Sequence, residues 1–336
     1  MIIVLAHSGK KLPAHLIANL NFLSVAFPEK RILTVVDEFS THTELNIEGF
    51  HSYLCKSGMD GYHSLSKKLM HNERFLDGFW YKTLKRFFML HEFMKENPNL
   101  PVLHIESDVI LLPNFPFQDF LTLKEVLAYP FVSETHAAAS IFFVKNFEAL
   151  DYLMAFIREA PIDAHDTDMT LLARFSKVSE NVFVLPTVVP SLESGVETTL
   201  YYNKQQPFKG IFDGATYGQF LFGLDPRTFF GIRRLFYSPP SHLVKPLELR
   251  YSVQTTAGQT ILNVSDVSHN SFPLYNLHIH SKDLRVFKQN PKSLAFTKKR
   301  CQESTRNRLR YEFDFHAFFF HLPRHFRSAL YNLAKR

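Results

Sequence analysis

Two carboxylates one residue apart, Glu106 and Asp108, are the strongest chemical signal in the sequence. Apolar runs flank them over residues 102–105 and 109–112, and both runs are typical of buried strands. Two like charges at a strand end are costly unless a cation or hydrogen-bond donors neutralise them. The pattern indicates a divalent-metal site for a phosphorylated substrate, and a pair of acids at a surface turn is the alternative.

Two histidines near the other end of the chain form a second candidate group. In a strand, His278 and His280 share one face, while the apolar residues between and beside them share the other. Imidazole is a good ligand for Mn²⁺ and similar ions, and Lys282 could bind phosphate oxygens as a point charge. Because the chain has 17 histidines, ordinary strand histidines beside a solvated lysine are the alternative.

Polar residues also follow the first two predicted strands. His7, Ser8 and Gly9 come after the first strand, and Asp37 and Glu38 come after the second. Ligands of open α/β sheets bind beyond the carboxyl ends of the strands. Each of these residues alone is typical of a loop, but together with the acidic pair they would line one crevice.

Residues 212–227 contain three of the 12 glycines in the chain. Small residues allow the backbone to approach a ligand closely. Asp213 and Gln219 could therefore bind sugar hydroxyls. The alternative is a turn followed by a short buried helix that stops near residue 223.

Alternating strand and helix patterns must position these residues. Strand patterns cover residues 2–6, 31–36, 138–144, 181–185 and 275–280, and helical patterns cover 13–27, 79–96, 147–157 and 167–175. This alternation predicts an α/β fold with a mainly parallel sheet flanked by helices. Residues 190–275 are less regular. We expect one catalytic domain over residues 1–297 and a C-terminal extension over residues 298–336.

The composition separates a neutral body from a basic, aromatic tail. Residues 298–336 contain ten Lys or Arg and three acids, which leaves 28 basic and 29 acidic residues elsewhere. A neutral body argues against a nucleic-acid partner. The two cysteines are too far apart in sequence to form a framework, and neither a signal segment nor a membrane span is evident. We expect a cytoplasmic protein whose tail either contacts an anionic membrane surface or docks on the catalytic domain.

With these motifs in view, residues 1–290 resemble glycosyltransferases of the GT-A (Rossmann-like) fold, chiefly bacterial sugar-nucleotide-dependent enzymes and more distantly glycogenin-type transferases. The first acid of the D-x-D-like motif is Glu instead of Asp, and the trailing Lys-Pro-Trp of glycogenin-type enzymes is absent. The matching segments are the helix from Trp80 to Arg86, Glu106-Ser107-Asp108, Asp166-Thr167-Asp168-Met169, residues 213–227, and His278 or His280.

The resemblance implies a hexosyltransferase-type enzyme that moves a sugar from a nucleotide diphosphate sugar to a hydroxyl of a saccharide or lipid-linked envelope acceptor. It implies Mn²⁺ or Mg²⁺ held by Asp108, Glu106 and one histidine, with His280 favoured because it lies nearer the strand end. The residues implied for the nucleotide sugar are His7, Ser8, Asp37, Arg86, Glu106, Ser107 and Lys282. Those implied for the acceptor or for base catalysis are Asp166, Asp168 and Asp213. A metal-dependent nucleotidyltransferase and a non-catalytic peripheral membrane protein are the alternatives.

Overall fold

The computed structural model describes residues 1–55, 79–162, 166–189, 207–222, 249–256, 259–266 and 268–284, together with Tyr62, Leu65, Val244 and Pro246. The predicted extension over residues 298–336 lies outside the described residues. The proposed domain boundary at residue 297 and the predicted helix stop after residue 222 lie outside them as well.

The described residues form the following helices and strands. The helices are α1 (Ala14–Ala26), α2 (Phe39–Ile47), α3 (Phe79–Glu96), α4 (Phe117–Leu121), α5 (Phe147–Glu159), α6 (Asp168–Val178) and α7 (Tyr217–Phe222). The strands of the first half are β1 (Ile2–His7), β2 (Ile32–Val36), β3 (Ser52–Leu54), β4 (Val102–Ile105), β5 (Val109–Leu111) and β6 (Leu127–Ser133). The later strands are β7 (His136–Ala137), β8 (Ile141–Val144), β9 (Val182–Leu185), β10 (Arg250–Thr256), β11 (Gln259–Ser265), β12 (Ser271–Pro273) and β13 (Asn276–His278).

The central sheet has the strand order β3-β2-β1-β4-β8-β6, and both β7 and β9 pair with β6. Strands β1 to β4 are mutually parallel, with β1 between β2 and β4. Strand β8 runs antiparallel to β4 and β6. This mixed, mainly parallel sheet with helices packed against it confirms the predicted fold class.

The core is built from the apolar faces that the sequence pattern predicts. Helix α3 packs on β1 and β2 and also contacts α5, and its Leu84, Phe87 and Phe88 are buried while Lys82 is exposed. Asn146 caps the start of helix α5, and its side chain accepts a hydrogen bond from the Ala149 N–H. The first turns of α3 carry Lys85 and Arg86, which pair with Asp37 after β2 and with Glu106 after β4.

Strand β5 leaves the central sheet and pairs with β13. The antiparallel register sets Leu111 opposite Asn276 and Val109 opposite His278. This pairing brings the acidic motif and the histidine motif together. The strand predicted over residues 275–280 is shorter than expected, because it ends at His278, where the chain turns and the Lys282 N–H donates to the Ile279 carbonyl.

Candidate metal and donor-binding site

The acidic motif is a tight turn between β4 and β5 that the first helix holds from outside. The Val109 N–H donates to the Glu106 carbonyl at 3.0 Å. Asn19 of α1 is fully buried, and its amide donates to the carbonyls of Ser107 at 3.1 Å and Val109 at 2.8 Å. These bonds fix the backbone on both sides of Asp108. The direction of the Asp108 side chain is therefore set by buried contacts and not by a free loop.

His278 faces the two acids across the β5–β13 pair. Its Nε2 lies 3.2 Å from Glu106 Oε2 and 3.5 Å from Asp108 Oδ1. Its Nδ1 is 2.8 Å from the Gly214 carbonyl, to which it donates. One ligand atom from each of the three side chains lies within 4.8 Å of the others. Two carboxylate oxygens and an imidazole nitrogen whose other ring nitrogen is hydrogen-bonded are a suitable donor set for a divalent cation such as Mn²⁺.

Two basic side chains complete the charge of this cluster. Lys282 Nζ lies 2.5 Å from Asp108 Oδ2, and Arg86 pairs with Glu106. Burial opposes ionisation of Asp108, but Lys282 and His278 hold the pKa of this carboxyl well below its usual range. Burial also opposes ionisation of Glu106, and Arg86 and His278 lower its pKa in the same way. Both acids are therefore ionised and ready to bind a cation.

The acids act on the histidine in turn. Burial alone would lower the pKa of His278, but the carboxylates of Asp108 and Glu106 raise it to about 9. The neighbouring ring of His280 behaves in the opposite way, because burial and the positive charge of His278 lower its pKa to about 3. In the absence of a bound cation, His278 carries a proton near neutral pH and His280 does not.

Arg86 joins the acidic turn to the start of helix α6. Besides Glu106 it pairs with Asp168, the first residue of α6, which also accepts a hydrogen bond from the Thr83 hydroxyl at 3.1 Å. Arg86 is 7% exposed and Asp168 is 2% exposed. The three charges thus form one buried network between α3, the acidic turn and α6.

A second polar group lies at the ends of β1 and β2. Asp37 accepts hydrogen bonds from the Ser8 hydroxyl at 2.6 Å and from the Gly9 N–H at 3.0 Å, and it pairs with Lys85. Lys85 and Arg86 are neighbours on α3, and they reach the two acidic groups separately. The residues predicted to line one crevice are therefore connected through adjacent side chains of one helix.

The remaining predicted residues have varied surroundings. The Ser107 hydroxyl lies 3.1 Å from His15 Nε2. Asp166 accepts from the Thr170 hydroxyl and from Arg174, each at 3.0 Å, so it stabilises the first turns of α6. The ring of His280 packs 4.3 Å from that of His278, but His280 is not one of the three converging ligands, so the geometry favours His278. His7 has a buried Nε2 with no hydrogen-bond partner among the described residues.

Sequence reasoning missed several residues that shape the site. Asn19, Thr83, Lys85 and Asn276 all hold predicted site residues in place. Two of them, Asn19 and Asn276, are buried polar residues within apolar helical and strand patterns, and this feature was the signal that could have identified them.

Within the part of the chain that the structure describes, we find no helix that is both long and apolar enough to cross a membrane. No protein-family model matches the sequence, and a search of curated proteins finds no significant match.

Solved structures that resemble this chain include enzymes of two transferase classes. An active-site mutant of LgtC has 12% identity and a TM-score of 0.42, over 60% of this chain and 82% of that chain. Mouse xyloside xylosyltransferase 1 has 10% identity and a TM-score of 0.36, over 60% and 93%. A cytidylyltransferase from Leptospira borgpetersenii has 9% identity and a TM-score of 0.34, over 55% and 75%. TM-scores below 0.5 do not distinguish a sugar transferase from a nucleotidyl transferase.

Proposed function

We propose that this protein is a metal-dependent glycosyltransferase that moves a sugar from a nucleotide diphosphate sugar to a hydroxyl acceptor. The observation that carries the proposal is the convergence of Glu106, Asp108 and His278, with Lys282 and Arg86 beside them. Two acids and one imidazole can hold Mn²⁺ or Mg²⁺, and two cations beside them suit the negative charge of a diphosphate. A bound divalent ion would supply charge stabilisation for a departing nucleoside diphosphate.

The protein groups around the cluster have separate tasks in this proposal. Lys282 and Arg86 lie where they would reduce the electrostatic cost of bringing a diphosphate beside the acidic turn. Asp37 orders the loop after β1 through Ser8 and Gly9, which supports a role for this loop in holding the nucleoside. Asp168 balances the charge of Arg86, so we propose that it orients this arginine.

We retain the prediction that the acceptor is a saccharide or a lipid-linked saccharide and that the transferred sugar is a hexose.

We also retain, from the sequence, a cytoplasmic location and a contact of residues 298–336 with anionic membrane. Cosedimentation of the full chain with anionic and neutral vesicles at low salt tests the membrane contact, and equal recovery in both pellets would contradict it.

The decisive experiment for the function is a product assay with Mn²⁺ and a panel of nucleotide sugars. Release of nucleoside diphosphate that EDTA abolishes supports sugar transfer. Release of pyrophosphate from a nucleoside triphosphate and a sugar phosphate would instead support a nucleotidyltransferase. If neither product forms, both enzymatic functions are contradicted and a binding protein is favoured.

A matched pair of variants links the product to the site. Asp108→Asn should reduce turnover by more than about 100-fold, since loss of a residue that merely supports a metal ligand already costs 10- to 100-fold. Asp266→Asn is the control. Asp266 is buried, as Asp108 is, but it lies after β11, where its carboxylate accepts a hydrogen bond from the Asn270 N–H. Activity of Asp108→Asn within a few-fold of the control would remove Asp108 from the metal site.

A further inference from the structure

The carboxylate of Asp213 is fully buried, and among the described residues four backbone N–H groups donate hydrogen bonds to it. Oδ1 accepts from Thr216 at 2.7 Å and Tyr217 at 3.0 Å. Oδ2 accepts from Gly218 at 2.6 Å and His278 at 2.8 Å. An ionised carboxylate offers about four lone-pair directions, so these donors use its accepting capacity. Asp213 therefore has no free oxygen with which to remove a proton from an acceptor hydroxyl.

The backbone of Asp213 is fixed just as firmly as its side chain. Asn276 accepts from the Asp213 N–H and donates to the Asp213 carbonyl, both at 2.9 Å. Asn276 is fully buried, and it lies two residues before His278 on the same strand. The side chains of these two residues share one face of β13. The segment that begins at Asp213 is thus locked to the strand that carries the histidine.

The same segment also determines the orientation of the imidazole. The carbonyl of Gly214 accepts from His278 Nδ1 at 2.8 Å, while Asp213 accepts from the His278 backbone N–H. A Cβ at Gly218 would lie 2.2 Å from the His278 carbonyl oxygen, so the start of α7 lies directly against this residue. His278 is therefore held at its main chain and at its ring by residues 213–214, with Nε2 left to face Glu106 and Asp108.

We propose that Asp213 is a positioning residue that aims His278 Nε2 at the two acids. This inference rests on the proposed metal-binding function, and it replaces the expectation that Asp213 acts as a base. One carboxylate holds the N–H groups at the start of α7 and also the N–H group of His278. It thereby sets the distance between this helix and β13. Metal affinity should then depend on Asp213 although Asp213 touches neither metal nor substrate.

Asp213→Asn tests the inference with almost no change in shape. The amide NH₂ must face one of the two pairs of N–H donors, so two of the four hydrogen bonds are lost whichever way the amide is oriented. Mn²⁺ binding is measured without donor or acceptor, by titration followed with electron paramagnetic resonance, for wild type, Asp213→Asn and Asp266→Asn. We expect the Kd for Mn²⁺ to rise 10- to 100-fold in Asp213→Asn and to change less than about twofold in Asp266→Asn.

The control separates positioning from a general loss of stability. Asp213→Asn loses acceptors of buried backbone N–H groups, and Asp266→Asn loses the acceptor of the Asn270 side-chain amide while it keeps one for the Asn270 N–H. Both variants should therefore unfold at lower urea than wild type, but only Asp213→Asn should bind Mn²⁺ more weakly. If Asp213→Asn does not fold, Asn276→Asp gives the second test. It keeps an acceptor for the Asp213 N–H but replaces the donor to the Asp213 carbonyl with a carboxylate oxygen, so it should also weaken Mn²⁺ binding.

Equal Mn²⁺ affinity of wild type and the folded variant would overturn the positioning role and leave the proposed function intact. Absence of Mn²⁺ binding by wild type would overturn the metal site itself, and the positioning role with it. A normal affinity for Mn²⁺ combined with a loss of turnover in Asp213→Asn would restore the interpretation of Asp213 as a group that acts on the substrate.

Discussion

Replacement of Arg86 by Met is the sharpest test of the buried charge network. Arg86 is the shared cation between Glu106 and Asp168, and both it and Asp168 are almost fully buried. Methionine keeps much of the apolar volume but leaves two carboxylates without their cation. Breaking a buried pair by removing one partner typically costs 3–5 kcal/mol, because an uncompensated charge remains in the interior. We therefore expect Arg86→Met to lose about 3–5 kcal/mol of the free energy of unfolding.

Urea unfolding at pH 8 measures this loss, and two further variants calibrate it. Arg174→Met removes the cation that pairs with Asp166, but the Arg174 side chain is 36% exposed, so the loss should be closer to the about 0.2–1 kcal/mol of exposed ion pairs. The double variant Arg86→Met with Asp168→Asn should be more stable than Arg86→Met alone, because it removes the buried carboxylate that has lost its Arg86 partner, whereas Glu106 keeps His278 at 3.2 Å. We expect the effects of the two substitutions on the free energy of unfolding to be non-additive by about 0.5–3 kcal/mol, as for residues in one network.

The pH dependence gives an independent reading of the same variant. Without Arg86, the pKa of the Glu106 carboxyl, which Arg86 lowers, should rise, and the pKa of Asp168, which burial already raises, should rise further. A carboxyl with a raised folded pKa destabilises the protein at high pH, and this cost disappears as the pH falls below its unfolded pKa, about 4. The difference between Arg86→Met and wild type should therefore shrink from pH 8 to pH 4. A difference below about 1 kcal/mol at pH 8, or one that does not change with pH, would refute the network.

Three other predictions concern the parts that position the site. Asn19→Leu removes the donor to two carbonyls, and we expect it to lower the free energy of unfolding in urea by about 1–3 kcal/mol for each. A loss no greater than that of an exposed substitution would contradict the role of Asn19 in holding the acidic turn. Gly218→Ala should weaken Mn²⁺ binding in calorimetric titrations and lower the melting temperature, because its Cβ would overlap the His278 carbonyl; an unchanged affinity would show that the helix can shift freely. The metal-free protein should lose stability as pH rises from about 6.5 to about 9. Protonated His278 stabilises the fold below its unfolded pKa, and this contribution is lost as the pH rises through its folded pKa. His278→Gln should lack this part of the dependence of stability on pH.

The fold and the acidic motif could be predicted because their signals are local. Helix α3 was predicted with the bounds that the structure has, from apolar residues at helical spacing. Helix α2 was missed because Phe39–Ile47 is mostly polar, with Thr41 and Leu45 as its buried residues. Strands β10 and β11 lie in the stretch over residues 190–275 that the sequence marked only as less regular, since their stability comes from pairing with each other.

The geometry of the site could not be predicted, because it depends on contacts between distant segments. Strand alternation places His278 and His280 on the same face, and nothing in the sequence says that β13 ends at His278. That end is set where the Ile279 N–H donates to the Asp108 carbonyl, a contact with the acidic turn itself. Likewise, an isolated Asp213 in a glycine-containing segment resembles a catalytic acid until the four N–H groups around it are known.

The pairing of β5 with β13 sets a time order for the protein during its synthesis. Asp108 and Lys282 are 174 residues apart in the chain. At about 5–20 residues per second, roughly 9 to 35 s pass between their translation. During that interval the nascent chain already has the strands β1 to β4 and the acidic turn, but it has neither the histidine nor the lysine that complete the cluster. A growing chain on the ribosome can therefore build its scaffold before the proposed metal site is complete.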